Sequence, residues 1–245
     1  MLSIKRTMGA GASLLFAKFF FVMCFGVMSF PTHAQTQQLT DRCVKVTDPD
    51  QKIANCTTAI TSRLWKGYWK GKGLAWAFYN RGSGYEGKQD FNRAIADYSE
   101  AIRRNPKDGG FYWARGHAYS AKKEYDRAIS DLNTAIRLNP KNGWFFHDRG
   151  WAYFNKQDYD RAVADFAEAI RSKSDAEFFF GRGFAYERKG QYDRSLQDYD
   201  QAIKLNPSMA RAFYYRSLLK DKNGDKTGAT ADMNEARRLD PNIGK

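Results

Sequence analysis

The chain repeats itself every 34 residues, and this period restricts its fold more than any other feature. Gly82, Gly116, Gly150 and Gly183 recur at intervals of 34, 34 and 33 residues, with Ser217 a further 34 on. Ala101, Ala135, Ala169, Ala202 and Ala236 keep the same intervals. Asn105-Pro106, Asn139-Pro140, Asn206-Pro207 and Asp240-Pro241 close every unit but the third, where Ser172-Lys173-Ser174 stands and one residue is missing. Ile95, Ile129, Val163 and Leu196, with Ile102, Ile136, Ile170 and Ile203, extend an apolar stripe at helical spacing. Each unit therefore reads as two helices, the second stopped at its Asn-Pro because the residue before proline disfavours the helical region. Glycine within a helix costs about 1 kcal/mol relative to alanine, so its regular return marks places where two backbones come close. A larger side chain in the alanine columns would overpack at roughly 1–3 kcal/mol. No such unit can bury its faces alone, so the units must stack.

The residue types resemble those of the tetratricopeptide repeat family. The first helices carry Phe78-Gly82-Tyr85, Tyr112-Gly116-Tyr119, Phe146-Gly150-Tyr153 and Phe179-Gly183-Tyr186. The second carry Ala94-Tyr98-Ala101, Ala128-Leu132-Ala135, Ala162-Phe166-Ala169 and Ser195-Tyr199-Ala202. The resemblance covers residues 75–241 and implies an all-α fold, a right-handed α-solenoid of about five helix pairs. It also implies a scaffold that binds a protein or peptide partner. The chain is similar in particular to exported bacterial members that act as adaptors in envelope assembly, secretion or wall remodelling. The competing class is a structural subunit of an envelope complex, engaged through its helix faces.

Both ends depart from the repeat. Residues 50–60 match the second-helix pattern of 126–136, so 35–74 is expected to hold a shortened N-terminal unit followed by a loop. At the far end Ser217, Lys220, Lys226 and Arg237 make the last unit polar, as suits a terminal repeat, with 242–245 as a tail. Residues 1–34 read as a signal peptide. Lys5, Arg6 and Lys18 are unaccompanied by any acid, 19–30 is apolar or small throughout, and Thr32-His33-Ala34 offers a cleavage site before Gln35. That run is short of the roughly 20 residues a membrane span needs. The expectation is a periplasmic or secreted mature chain, and the alternative is a membrane anchor formed by an uncleaved leader. Beyond the leader the cysteines are Cys43 and Cys56, an even count that predicts a disulfide in an exported protein. Two cysteines with no histidine nearby cannot complete a tetrahedral zinc site.

Where the family prefers leucine before the glycine, this chain has Arg81, Arg115, Arg149, Arg182 and Arg216. Sixteen residues after each comes Asp97, Asp131, Asp165, Asp198 or Asp232. Two readings stand, an ionic ladder along the stack or an arginine row that binds anions. The ladder is favoured, since a charge near the core needs a partner.

Three residues before and one after each glycine stand Tyr79 and Ser83, Trp113 and His117, His147 and Trp151, Phe180 and Phe184, then Tyr214 and Leu218, with Trp76 and Trp144 one turn earlier. In the family this face resembles the lining of a concave groove. Aromatic and nearly uncharged, it predicts an apolar or aromatic peptide partner. The other reading is that the rings pack on one another across repeats. The lysine, asparagine and arginine of the family's chaperone-tail clamp are absent from the matching places, which argues against an acidic C-terminal tail. In the loop, Leu64–Gly73 interleaves basic and aromatic residues. It either meets an anionic polymer or lipid headgroups, or plugs the end of the stack with Trp65 or Trp69.

Chemistry is sparse. Beyond the leader only His117 and His147 are histidines, one ligand short of a zinc site, and no glycine-rich phosphate loop is present. The reading is no enzyme, no cofactor and no metal. A net charge of +13 and a pI near 9.6 raise nucleic-acid binding. The cations are spread over all repeats beside acids, which argues against it and leaves contact with an anionic envelope surface open.

Overall fold

The structure, a computed structural model, describes residues 41–62 and 72–245. The expected leader and nearly all of Leu64–Gly73 lie outside the described residues. The described residues belong to one compact unit, residues 31–245. They form an α-solenoid in which helices follow one another in antiparallel pairs, preceded by a partial repeat.

That partial repeat is α1 (Pro49–Thr61). The pairs are α2 (Lys72–Gly87) with α3 (Phe91–Arg104), α4 (Gly109–Ala121) with α5 (Tyr125–Leu138), and α6 (Gly143–Asn155) with α7 (Tyr159–Ser172). Next come α8 (Ala176–Arg188) with α9 (Tyr192–Leu205), and α10 (Ala210–Lys222) with α11 (Lys226–Leu239). Asp48, Asp90, Asp108, Asn142, Asp158, Asp175 and Asp225 each accept a backbone N–H from the first turn that follows, so these seven starts are capped by side chains, whereas α5, α9 and α10 begin without such a bond. The Asn-Pro turns close the second helices through the asparagine N–H. Asn105, Asn139 and Asn206 donate to the carbonyls of Ala101, Ala135 and Ala202, and Lys173 does the same to Ala169 where the proline is missing.

The small columns meet at helix crossings. A Cβ on Gly116 of α4 would stand 3.1 Å from Leu132 and 3.2 Å from the Ala128 carbonyl of α5. One on Gly143 would lie 3.0 Å from the Ala169 carbonyl. Ala94, Ala128 and Ala162 are fully buried, and Tyr98, Leu132, Phe166 and Tyr199 fill the space each pair leaves. At the front, α1 lies against α2 so closely that a Cβ on Gly84 would come within 2.9 Å of Ile53. A disulfide joins Cys43 to Cys56, and both are buried beside Ala77. Among the described residues no helix is long and apolar enough to cross a membrane.

The Arg–Asp columns pair throughout. In all five units the Nε and Nη2 groups of the arginine donate to the two carboxylate oxygens of the aspartate sixteen residues on, at 2.6–2.9 Å. Each guanidinium also lies over the ring three residues before it, 5.4–5.9 Å from the centroids of Phe78, Tyr112, Phe146, Phe179 and Phe213. The remaining Nη1 reaches back into the preceding unit, to Thr57, Ser99, Asn133 and Asp200 from Arg81, Arg115, Arg149 and Arg216. For Arg182 the corresponding register position is Ala167, which has no side-chain acceptor. Pairing does not fully offset the cost of burial: the carboxyls of Asp165 and Asp198 are pushed up by desolvation even though each accepts two N–H groups.

Candidate partner-binding face

The first helices α2, α4, α6, α8 and α10 bring one stripe of each to a common face. Trp76, Tyr79, Trp113 and Trp144 line a single cavity of about 480 Å³, with Gly110, Phe111, Asn142 and Phe145 completing it. Phe111 and Phe145 are buried, and Trp76 stands edge-on to Phe111 at 5.3 Å. The two outer indoles are left in solvent, Trp76 at 45% and Trp144 at 40% exposure. The space between them has a simple cause. Six residues before the glycine of units one, two and three stand Trp76, Gly110 and Trp144, so the middle position has no side chain. A Cβ there would meet nothing within 4 Å except Asp108 Oδ1, at 3.2 Å.

Carboxylates that the sequence reading did not count border these rings. The Trp113 indole Nε1–H donates to Asp148 Oδ2 at 2.7 Å, and Asp148 Oδ1 lies 2.8 Å from His147 Nδ1. The Trp151 indole N–H meets His147 Nε2 at 3.0 Å. An indole can only donate, so Nε2 is the bare nitrogen and Nδ1 carries the proton given to Asp148. These two bonds fix the orientation of the His147 ring. Glu86 joins two units, accepting from the Tyr98 hydroxyl with one oxygen and bonding His117 Nδ1 with the other. That bond with Glu86, against the opposing effect of burial, raises the pKa of His117.

The other expected face residues sit differently. His147 and Phe180 are buried, at 8% and 4% exposure. They support the face from behind and do not present a surface, a correction to the groove as read from sequence. Trp151 and Phe184 are half-buried in a ring cluster: Trp151 lies 5.4 Å from Phe166, Phe184 stacks on Phe154 at 5.0 Å, and Tyr215 stands edge-on to Phe184 at 4.8 Å. Where α6, α7, α8 and α10 all deliver rings to one place, apolar area leaves water by mutual packing. Tyr214 is half-buried under the tail, since a Cβ on Gly244 would come within 2.8 Å of its ring. The face thus divides into an open N-terminal half and a packed C-terminal half. Gly110 was legible as the break in a Trp–Gly–Trp column, whereas Asp148 and Glu86 lie outside the positions that pattern counts. Among the described residues no three of His, Cys, Asp and Glu cluster as a metal site would need.

Models of the tetratricopeptide repeat match residues 79–143, 132–164 and 176–209. No curated protein matches the chain. Among solved structures, a tetratricopeptide repeat protein from Parabacteroides merdae ATCC 43184 is similar with a TM-score of 0.67 at 19% identity, over 83% of this chain and 79% of that one. YrrB, described as a TPR protein with an unusual peptide-binding site, gives a TM-score of 0.55 at 21% identity, over 69% and 88%. PilW, described as a widely conserved type IV pilus biogenesis factor, gives 0.63 at 17% identity, over 68% and 77%. At these identities the likeness is one of fold.

Proposed function

We propose that this chain, which belongs to the tetratricopeptide repeat family, is an exported scaffold that holds an extended segment of a protein partner on its first-helix face. The observation that carries this reading is the single cavity lined by Trp76, Tyr79, Trp113 and Trp144, with two indoles half in water. Solvent-facing indoles beside a preformed apolar cavity are what interface hot spots are made of. The peptide-binding site of YrrB, on a similar fold, supports the class of partner. No catalytic role is assigned.

The work is placed in the cell envelope, as an adaptor in assembly or secretion. The basic leader over 1–34 with its apolar run supports export, and a buried Cys43–Cys56 disulfide suits an oxidising compartment. The similar fold of a pilus biogenesis factor fits the same setting. Affinity capture of the tagged chain from native envelopes, followed by mass spectrometry, tests the reading. The partner should be lost from the Trp76→Ala, Trp144→Ala double variant while circular dichroism is unchanged. Equal capture by both proteins would discard this face as the binding site. The mass of the recovered chain reports whether the leader is cleaved or kept as an anchor.

A second reading, contact with an anionic polymer or envelope surface, is favoured by one column. Arg103, Arg137, Arg171, Lys204 and Arg238 stand two residues past each alanine at the ends of the second helices, all exposed. Arg137 and Lys204 have no acidic partner among the described residues. Co-sedimentation with anionic vesicles that falls steeply with salt would support it, and salt-independent or absent binding would remove it.

A further inference from the structure

We infer that the slot between Trp76 and Trp144 is built to receive the guanidinium group of an arginine on the partner segment, the flat cation lying over the rings with its N–H edge toward Asp108. The inference deepens, and rests on, the assignment of this face to a peptide.

The chain supplies its own example of such a site. In unit five the residue at the position of Trp76, Gly110 and Trp144 is Arg211, and in unit four it is Glu177. The Arg211 guanidinium lies 4.4 Å from the centroid of Phe180 and pairs with Glu177. A cation, a ring from the preceding unit and a carboxylate thus meet within the packed half of the face. The open half keeps the ring of this arrangement and leaves the cation's place empty, while Trp76 takes the position of Glu177. Gly110 stands where Arg211 would be, Tyr79 stands where Phe180 would be, and Trp76 and Trp144 wall the space on either side. A carboxylate stands beside the slot from another position, the cap of α4: Asp108 Oδ1 lies 3.2 Å from where a Gly110 side chain would begin.

The charges point the same way. The chain holds 40 lysines and arginines against 27 acids, yet among the described residues no cation lines this cavity, and Asp108 at its edge is the nearest acid to Gly110. Among the described residues the Asp108 carboxylate accepts the Gly110 N–H and has no cationic partner, whereas the matching Asp175 is paired with Lys173. Asp148, behind Trp113, is bonded by an indole and an imidazole and, among the described residues, by no lysine or arginine. The field reaches the rings: after burial, Glu86 and Asp108 are what raise the Tyr79 hydroxyl pKa. A guanidinium suits such a place better than an ammonium, because it is flat, weakly hydrated, stacks on aromatic faces and keeps its in-plane donors free for a carboxylate.

The test uses the full chain and a fluorescein-labelled octapeptide of alternating leucine and arginine, beside the same peptide with citrulline, which keeps the shape of arginine without its charge. Binding is read by anisotropy. The arginine peptide should bind roughly tenfold or more tightly than the citrulline peptide. Gly110→Leu, whose Cβ would come within 4 Å of Asp108 Oδ1 alone and whose longer side chain would fill the slot, should abolish that difference with helicity intact. Asp108→Asn, which keeps the helix cap, should narrow the difference several-fold. Equal binding of the two peptides, both blocked by Gly110→Leu, would overturn the guanidinium assignment and leave the peptide face standing. Binding indifferent to Gly110→Leu, or no binding of either peptide at millimolar concentration, would remove both.

Discussion

Arg115 grips Asp131 with two parallel hydrogen bonds of 2.8 Å, and its third donor reaches Ser99 in the preceding unit at 2.9 Å. One side chain therefore fastens three helices, α4 to its own partner α5 and to α3 behind it. A leucine at this position could pack but could not fix the register of neighbouring units. The arginine column gives each pair a directional tie to the one before, within a stack otherwise held by non-directional apolar contact.

Removing one member of that pair should cost much more than removing both. Asp131→Ala leaves a half-buried guanidinium without its carboxylate and should destabilise the fold by about 3–5 kcal/mol. Arg115→Met combined with Asp131→Leu removes both charges, and the desolvation cost with them, so its loss should be well under the sum of the single variants. Urea denaturation of the four proteins provides the comparison. Equal losses in Asp131→Ala and the double variant would show that the pair is not coupled.

The fourth unit lacks one of these ties. Ala167 holds the register position that Ser99 holds for Arg115 and Asn133 holds for Arg149. Ala167→Asn should supply the missing acceptor and raise stability by about 0.5–1 kcal/mol, the net worth of one such hydrogen bond. Ser99→Ala should lower it by a similar amount. Both are read as shifts in Tm, and a fall in Tm for Ala167→Asn would mean that the third–fourth junction cannot adopt the spacing of the others.

The ladder and the helix crossings were readable from sequence because each needs only a residue type at a fixed register: arginine before glycine, aspartate sixteen on, alanine at the crossing. The face was readable only in part. Whether Trp113 or Trp151 stays open depends on how many rings the neighbouring helices contribute. Phe154, Phe166 and Phe184 surround Trp151, while Gly110 leaves space on the other side. A count of aromatic residues per helix registers no difference between these surroundings. Asp148 is not legible from the repeat because its position holds Asn80, Ala114, Gly181 and Tyr215 in the other units and so forms no column.

The N-terminal unit should depend on its disulfide more than the remainder of the stack does. Only α1 and the short segment bearing Cys43 are tied by it, across a separation of 13 residues, a constraint worth about 3 kcal/mol in the chain-entropy model. Because units contact only their neighbours, the loss should stay local. In the Cys43→Ala, Cys56→Ala variant, amides of α1 should exchange with solvent roughly a hundredfold faster while those of α5 and α7 keep their protection. Uniform loss of protection along the chain would instead show that the disulfide nucleates the whole solenoid.

The His117–Glu86 contact gives the face a pH dependence whose sign follows from its cause. Glu86 bonds the imidazole and favours its protonated form, so the folded pKa of His117 lies above the unfolded value of about 6.5. A group whose pKa rises on folding contributes stability that is complete below the unfolded value and is lost as pH climbs through the folded one. The tie between α2 and α4 is accordingly firmest in mildly acidic solution and weakens on the alkaline side. Titration of the His117 ring protons by NMR should give a midpoint above 6.5, and Glu86→Gln should lower it. Because Glu86 also accepts from the Tyr98 hydroxyl at 2.5 Å, the substitution leaves that hydroxyl an amide oxygen to bond, so the fold should survive the change. An unaltered midpoint in Glu86→Gln would assign the shift to Asp148, the other carboxylate acting on His117, and separate the histidine from the α2–α4 junction.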